Sequence, residues 1–242
     1  MQPRVLFRHL HLGTIDLDAE TSHHLAGVLR VSLDATVTLF DGQGQEARSR
    51  VVGIERGKVS VDVTKIETID RESPTEICVV QALCTGDKMD WVVQKSTELG
   101  AKTIVPLAAS RSVLKLDANR SEKRRQHWQA IAEASAAQSG RTIVPAITPV
   151  ARLVDVLRQW GDAPPPKTGL LLDPFAEDKL STVPLSGPVT LLIGPEAGWT
   201  DEEEDLARQA GFIGVQCGPR ILRTETAAVV VLAALALRNG EF

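Results

Sequence analysis

Glu196, Arg220, Arg223, Thr224, Glu225 and Thr226 gather within the stretch from Leu191 to Ala228, around the turns Gly194-Pro195-Glu196-Ala197-Gly198 and Gly218-Pro219-Arg220. Each turn follows a short apolar run and precedes a helical pattern, which predicts two backbone loops at one sheet edge. Such loops can hold a small ligand between them, and loops on a rigid scaffold are where binding and catalytic groups collect. One turn alone would be ordinary Gly/Pro punctuation. Two together, each dense in polar side chains, point to a ligand cleft.

Other chemistries fail on context. Gly42-Gln43-Gly44-Gln45-Glu46-Ala47 matches the dinucleotide pattern G-x-G-x-x-A, but Arg48 to Ile54 follows as a β-branched strand pattern, so no helix N-terminus is available for a pyrophosphate and a hairpin turn is expected. The chain has no P-loop sequence and no G-x-S-x-G elbow. His9, His11, His23 and His24 lack acidic or cysteine partners at ligand spacing, so no metal is expected. Cys78, Cys84 and Cys217 form an odd set without C-x-x-C spacing, which argues for reduced, buried thiols. The acidic run Asp201 to Asp205 reads as a helix first turn.

The elements that must position the two turns divide the chain. Residues 1–70 read as β-rich, with strands at Val37–Phe40, Ala47–Ile54 and Lys58–Val63 between Gly/Asp turns, and imply a small barrel. A short helix over Thr21–Arg30, behind a Thr21/Ser22 cap, is expected to pack on it. Residues 71–75, with Arg71-Glu72-Ser73-Pro74, read as a linker. Residues 76–242 alternate strands and helices and imply an α/β domain with a parallel sheet. Strands are expected at Ile77–Leu83, Thr103–Pro106, Gly169–Leu172, Val189–Ile193 and Ile213–Gln216. Helices are expected at Asp87–Leu99, Ser121–Gln138, Ala151–Trp160, Asp201–Ala210 and Thr224–Arg238, with a capping box at Thr200-Asp-Glu-Glu203. The final helix is apolar nearly all round, so it must be covered on several sides.

At 242 residues and 43% apolar composition the chain can bury a substantial core. Its longest apolar run, Ala227 to Leu237, is too short to cross a bilayer, for which about 20 residues are needed. The N-terminus has no apolar signal core, so a cytoplasmic location is expected. The net charge of −4 hides a division: residues 1–70 carry 8 Lys/Arg against 10 Asp/Glu, residues 71–160 carry 13 against 9, and residues 161–242 carry 6 against 12. In the middle segment Arg111, Lys115, Arg120, Lys123, Arg124 and Arg125 form either a phosphate-binding footprint or a solvated helix start.

Five blocks carry a family resemblance: His24-Leu25-Ala26-Gly27-Val28-Leu29-Arg30, Gln94-Lys95-Ser96-Thr97-Glu98-Leu99-Gly100, Gln138-Ser139-Gly140-Arg141, Ile193-Gly194-Pro195-Glu196, and Gly218-Pro219-Arg220-Ile221-Leu222-Arg223-Thr224-Glu225-Thr226-Ala227. With them the chain resembles the bacterial 16S ribosomal RNA (uracil-N3)-methyltransferases, of the SPOUT class of S-adenosylmethionine-dependent enzymes. The resemblance implies a PUA-like RNA-binding β-barrel, an α/β domain with a C-terminal trefoil knot, and a homodimer in which two subunits complete each site. Two positions depart from the family: Ala137 stands where an acidic residue is frequent, and Ala197-Gly198 replaces a frequent Gly-Gly.

The resemblance implies that S-adenosylmethionine is held by Leu172, Ile193, Gly194, Pro195, Glu196, Gly198, Cys217, Gly218, Ile221, Leu222 and Thr226, largely through backbone groups. Uridine N3 carries a proton at neutral pH, so a base or a cation stabilising the imide anion is required. Arg223 suits the developing O2/O4 charge; Glu196 or Glu225 is the candidate base, or else a clamp on an arginine. The 16S rRNA of the 30S subunit is the expected partner. Arg4, Arg8 and Arg30 of the barrel, with Lys88, Lys95, Arg111, Arg124, Arg125 and Arg141 of the middle segment, are expected to dock it. Neither membrane nor metal is expected. The alternatives are a SPOUT enzyme acting on tRNA or a ribose 2′-hydroxyl, and a non-catalytic ribosome-assembly protein.

Overall fold

Burial alternates along β4 (Gln45–Glu55) and β5 (Lys58–Thr68), the two longest strands, as expected where one face of a sheet packs on a core. The computed structural model describes residues 2–115 and 117–242, with the backbone alone at Ala118. It divides into two compact units, one holding residues up to Glu72 with Glu133–Val144, the other Ser73–Ala132 with Pro145–Phe242.

In the first unit β1 (Arg4–Leu6), β2 (Gly13–Asp16) and β3 (Thr36–Phe40) join β4 and β5 in a mixed sheet of order β1-β3-β4-β5-β2, with β1 and β3 parallel. Val37, Leu39, Val51, Val59, Val61 and Val63 form its buried face. The β4–β5 hairpin turns on Arg56-Gly57, with φ of +48° and +83°. A two-residue hairpin needs that left-handed pair to match strand twist. The apparent dinucleotide motif is the β3–β4 turn, where Asp41 Oδ1 accepts from the Gln43 and Gln45 amides at 2.7 and 3.0 Å.

The helix expected over Thr21–Arg30 is instead α1 (Ala19–His23) continued by a π-helical turn, His24–Val28. Its cap is Asp18, whose side chain accepts from the Thr21 amide, and not Thr21 or Ser22. Ser22 is buried and does other work: its hydroxyl donates to the Leu17 carbonyl and accepts from the Val59 amide, each at 3.1 Å. That ties the helix to β5.

The second unit alternates β6 (Ile77–Ala82), α2 (Lys88–Glu98), β7 (Thr103–Leu107), α3 (Ala118–Ser139), β8 (Ala146–Ile147), α4 (Leu153–Asp162), β9 (Thr168–Leu172), β10 (Asp178–Lys179), β11 (Val189–Ile193), α5 (Asp201–Gln209), β12 (Ile213–Gln216) and α6 (Thr224–Arg238). The last turns of α3 group with the first unit. The sheet order is β10-β12-β9-β11-β6-β7-β8, all parallel, so β11 runs between β9 and β6. Its central strands are apolar on both faces, with Val79, Val80, Leu170, Leu171, Leu191 and Leu192 buried, as covering by helices requires. Packing is close enough that a Cβ on Gly169 would meet the Phe212 ring at 2.8 Å. The strands β8 and β10, two residues each, were not among the expected elements. Because all strands point one way, the loops after β6, β9, β11 and β12 emerge at one edge, where open α/β sheets bind ligands.

Candidate active site

At that edge the loops after β9, β11 and β12 enclose a cavity of about 680 Å³, within the range typical of small-molecule sites. Buried Thr224, the first residue of α6, joins three elements: its hydroxyl donates to the Gly194 carbonyl at 2.6 Å and accepts from the buried Gln81 amide of β6 at 2.8 Å. Gly194 lies against the Trp199 indole, where a Cβ would stand 3.0 Å from Nε1. The Gly198 amide closes the turn onto the Pro195 carbonyl at 2.9 Å, and Gly198 takes the left-handed φ of +73° while Ala197 does not have a positive φ. The Ala197 departure is therefore accommodated. Gly218, at φ +109°, gives the second turn the same freedom.

The loops are held from behind. Arg111 Nη1 donates to the carbonyls of Trp199 at 2.6 Å and Ala197 at 3.4 Å. The expected capping box at Thr200 and Glu203 forms, and Glu203 also accepts from the Ser110 amide at 2.8 Å. After β9, Asp173 accepts from the Phe175 amide at 2.8 Å and from Arg208 at 2.9 Å. The fixed loop presents Phe175 with 83% of its surface exposed.

Two carboxylates and one ammonium sit at the α2 side of the cavity. Glu196 Oε1 accepts from Lys88 Nζ at 3.1 Å, the Thr85 hydroxyl at 3.1 Å and the Thr85 amide at 3.3 Å. Burial pushes the Glu196 pKa up, but its own amide, those Thr85 groups and Lys88 outweigh burial and hold it below the usual value. Glu196 in turn raises the Lys88 ammonium. Lys88 Nζ stands 3.8 Å from Glu225 Oε2, and that buried oxygen has no hydrogen-bond partner. Burial drives the thiols of Cys78 and Cys84 up to about 11 and about 12, and raises that of Cys217, so none is a thiolate at neutral pH.

Leu172, Ile193, Gly194, Pro195, Glu196, Gly198, Cys217, Gly218, Ile221 and Leu222 all line the cavity, as do Arg223 and Glu225. Thr226, one position further into α6, is not among the lining residues. Lys88 and Arg111, expected on the RNA side, also line the cavity and are committed to the contacts above. The other expected RNA contacts are distributed. Arg124 is exposed and shares a second concavity with Lys115, Arg120, Lys123 and His127. Arg30 is exposed, while Lys95, Arg125 and Arg8 pair with Glu98, Glu122 and Glu133. Arg4 pairs with Glu46, and Arg141, only 4% exposed, pairs with Glu72.

The sequence reading missed Thr85, Asp173, Phe175 and Trp199. The Asp173-Pro174 pair directly after a strand was the one signal available for the β9 loop; Trp199 reads from sequence as core.

A family model described as RNA methyltransferase domain matches residues 71–236, and another, described as RNA methyltransferase PUA domain, matches residues 17–64. The ribosomal RNA small subunit methyltransferase E of Bacillus subtilis is 32% identical over 234 residues, 93% of this chain and 91% of that protein. Its counterpart from Synechocystis is 31% identical over 229 residues, 91% and 72% of the two chains. The crystal structure of the Neisseria gonorrhoeae ribosomal RNA small subunit methyltransferase E bound to S-adenosyl methionine has 35% identity and a TM-score of 0.90, covering 98% of each chain. By descent and by fold, the chain belongs to the ribosomal RNA small subunit methyltransferase E family.

Proposed function

We propose that this chain transfers a methyl group from S-adenosylmethionine to N3 of a uridine in the 16S RNA of the small ribosomal subunit. The observation that carries the reading is the cavity, which has permissive glycines in both turns and two orphaned buried polar atoms, the donor Trp199 Nε1 and the acceptor Glu225 Oε2. Such atoms are rare in native structures and suit a polar ligand. The permissive turns and the Trp199 donor fit the cofactor that the N. gonorrhoeae relative binds, and the Glu225 acceptor is left for the substrate. The backbone of 193–198 and 217–222 would hold it, with Leu172 beside them.

When bound, S-adenosylmethionine supplies an electrophilic methyl group, its sulfur keeping the electrons of the broken bond. The work left to the chain is to orient the uracil and free a lone pair on N3. Losing the N3 proton spreads negative charge onto O2 and O4, and the forked Arg223 guanidinium at the cavity wall matches two oxygens. A carboxylate of the Glu196–Glu225 pair takes the proton. Phosphates dock on exposed Arg30 and on the concavity of Lys115, Lys123 and Arg124, where three cations have no acidic partner among the described contacts.

In this reading residues 1–70 serve as the RNA-binding module and 76–242 as the catalytic one, working in the cytoplasm, with a knotted C-terminal region and a homodimer as the family resemblance implies. Among the described residues no helix is long and apolar enough to cross a membrane, and no cluster of three or more His, Cys, Asp or Glu could hold a metal ion. Mass spectrometry of small-subunit RNA from cells lacking the protein, before and after incubation with purified enzyme and cofactor, tests the proposal. Appearance of one N3-methyluridine is expected; a methylated ribose, or no new mass, overturns it.

A further inference from the structure

We propose that Lys88 is a positioning residue that separates the roles of the two cavity glutamates, fixing Glu196 as scaffold and leaving the Glu225 carboxylate to take the N3 proton. This rests on the methyl-transfer reading above. Glu196 is saturated on one oxygen by three donors from α2 and the loop before it. Protonating it would forfeit those charge-assisted bonds, so it is a poor base and a good clamp between the β11 loop and the start of α2.

Glu225 differs in its hydrogen bonding. Its side chain is 15% exposed and lines the cavity, and its carboxylate accepts no hydrogen bond among the described contacts. A buried carboxylate oxygen without a donor is costly unless a ligand supplies one. Lys88 at 3.8 Å is within ion-pair distance yet beyond hydrogen-bond reach, so the lone pairs stay open. The groups sharing this corner are Lys88 from α2, Cys84 from the loop after β6, Glu196 from the β11 loop and Arg223 before α6; the Cys84 thiol is neutral. In the proposed step the N3–H bond breaks, the proton passes to a Glu225 carboxylate oxygen, and the bonding pair stays on N3, now nucleophilic. Arg223 offsets the charge on O2 and O4.

The test uses the full-length protein with 30S particles, comparing Glu225→Gln, Glu196→Gln, Lys88→Met and Lys88→Arg by calorimetric S-adenosylmethionine binding without RNA and by kcat and KM for methylation. For Glu225→Gln the expected result is cofactor affinity within about twofold, KM for 30S within about threefold, and kcat lower by about 100-fold or more. Glu196→Gln is expected to weaken cofactor binding and lower thermal stability. Lys88→Met should lower kcat on 30S particles by about tenfold or more with KM for 30S within about threefold, and Lys88→Arg should restore kcat. A loss of cofactor affinity of about tenfold or more in Glu225→Gln would give that carboxylate to the cofactor's ammonium group and overturn the proposal. So would an unchanged kcat in Lys88→Met. Failure of the wild-type protein to bind cofactor or methylate 30S would sink the methyl-transfer reading itself, and the wild-type control separates that result from the others.

Discussion

Glu46 and Glu225 are both carboxylates beside cations, yet they stand at opposite extremes. Glu46 takes Arg4 at 2.5 Å and Arg71 at 2.9 and 3.1 Å, so two cations serve one carboxylate and both oxygens are filled. The same arginines donate to the carbonyls of Arg141 and Gly140, at 2.8 and 3.0 Å, and Arg4 lies 4.6 Å over the Phe40 ring. At the cavity one ammonium serves two carboxylates, and one of them accepts nothing. The ratio of donors to acceptors separates a structural joint from a site awaiting a ligand, where residue type alone does not.

Substitutions should break the two clusters differently. The largest effect is expected for Arg223→Ala, with kcat on 30S particles down about 10²–10³-fold while calorimetric cofactor binding is retained; normal turnover would remove Arg223 from the chemistry. Thr224→Val should cost about 2–3 kcal/mol in denaturant unfolding, because the Gly194 carbonyl loses its donor and Gln81 keeps only its bonds to the Ala82 carbonyl and Cys84. Thr224→Ser should cost far less.

Glu46→Gln should cost about 1–2 kcal/mol at neutral pH and leave turnover per folded molecule unchanged. Hydrogen bonding from Arg71, and then Arg4, outweighs burial and holds the Glu46 pKa at about 2 against an ordinary 4.5. Its stabilisation is therefore complete above about pH 4.5 and disappears as pH falls toward 2. The variant should lose that part of the acid dependence, which unfolding curves across the window would reveal. The smallest effect belongs to Arg124→Ala, expected to weaken RNA binding modestly and reduce the salt slope by about one. An unchanged slope would make that face a solvated helix start.

The α/β alternation from Ile77 onward was legible because its central strands are apolar runs of four to six residues bounded by turn residues, and its helices keep their period. Rejection of the Gly42–Ala47 motif was legible too, since it runs directly into β4. Pairs such as Ala146–Ile147 and Asp178–Lys179 are too short to show any period. Asp18 lost to Thr21 as expected cap because both are good caps and only backbone geometry separates them. The site was readable as two turns, but not its electrostatics. Lys88 meets Glu196 across 108 residues and Arg111 meets Trp199 across 88, and no local pattern encodes partners at that range. Both lysine and arginine looked like phosphate contacts because a free cation and a committed one have the same sequence signature.

The all-parallel sheet also sorts the connections of the second unit between two edges. Those leaving the carboxyl ends of β9, β11 and β12 build the cavity, whereas those returning from helices, such as the exposed Ala163 to Pro166 segment between α4 and β9, run to the other edge. That opposite edge is the place for a fluorophore, an affinity tag or a surface tether. A label there stands away from the cavity.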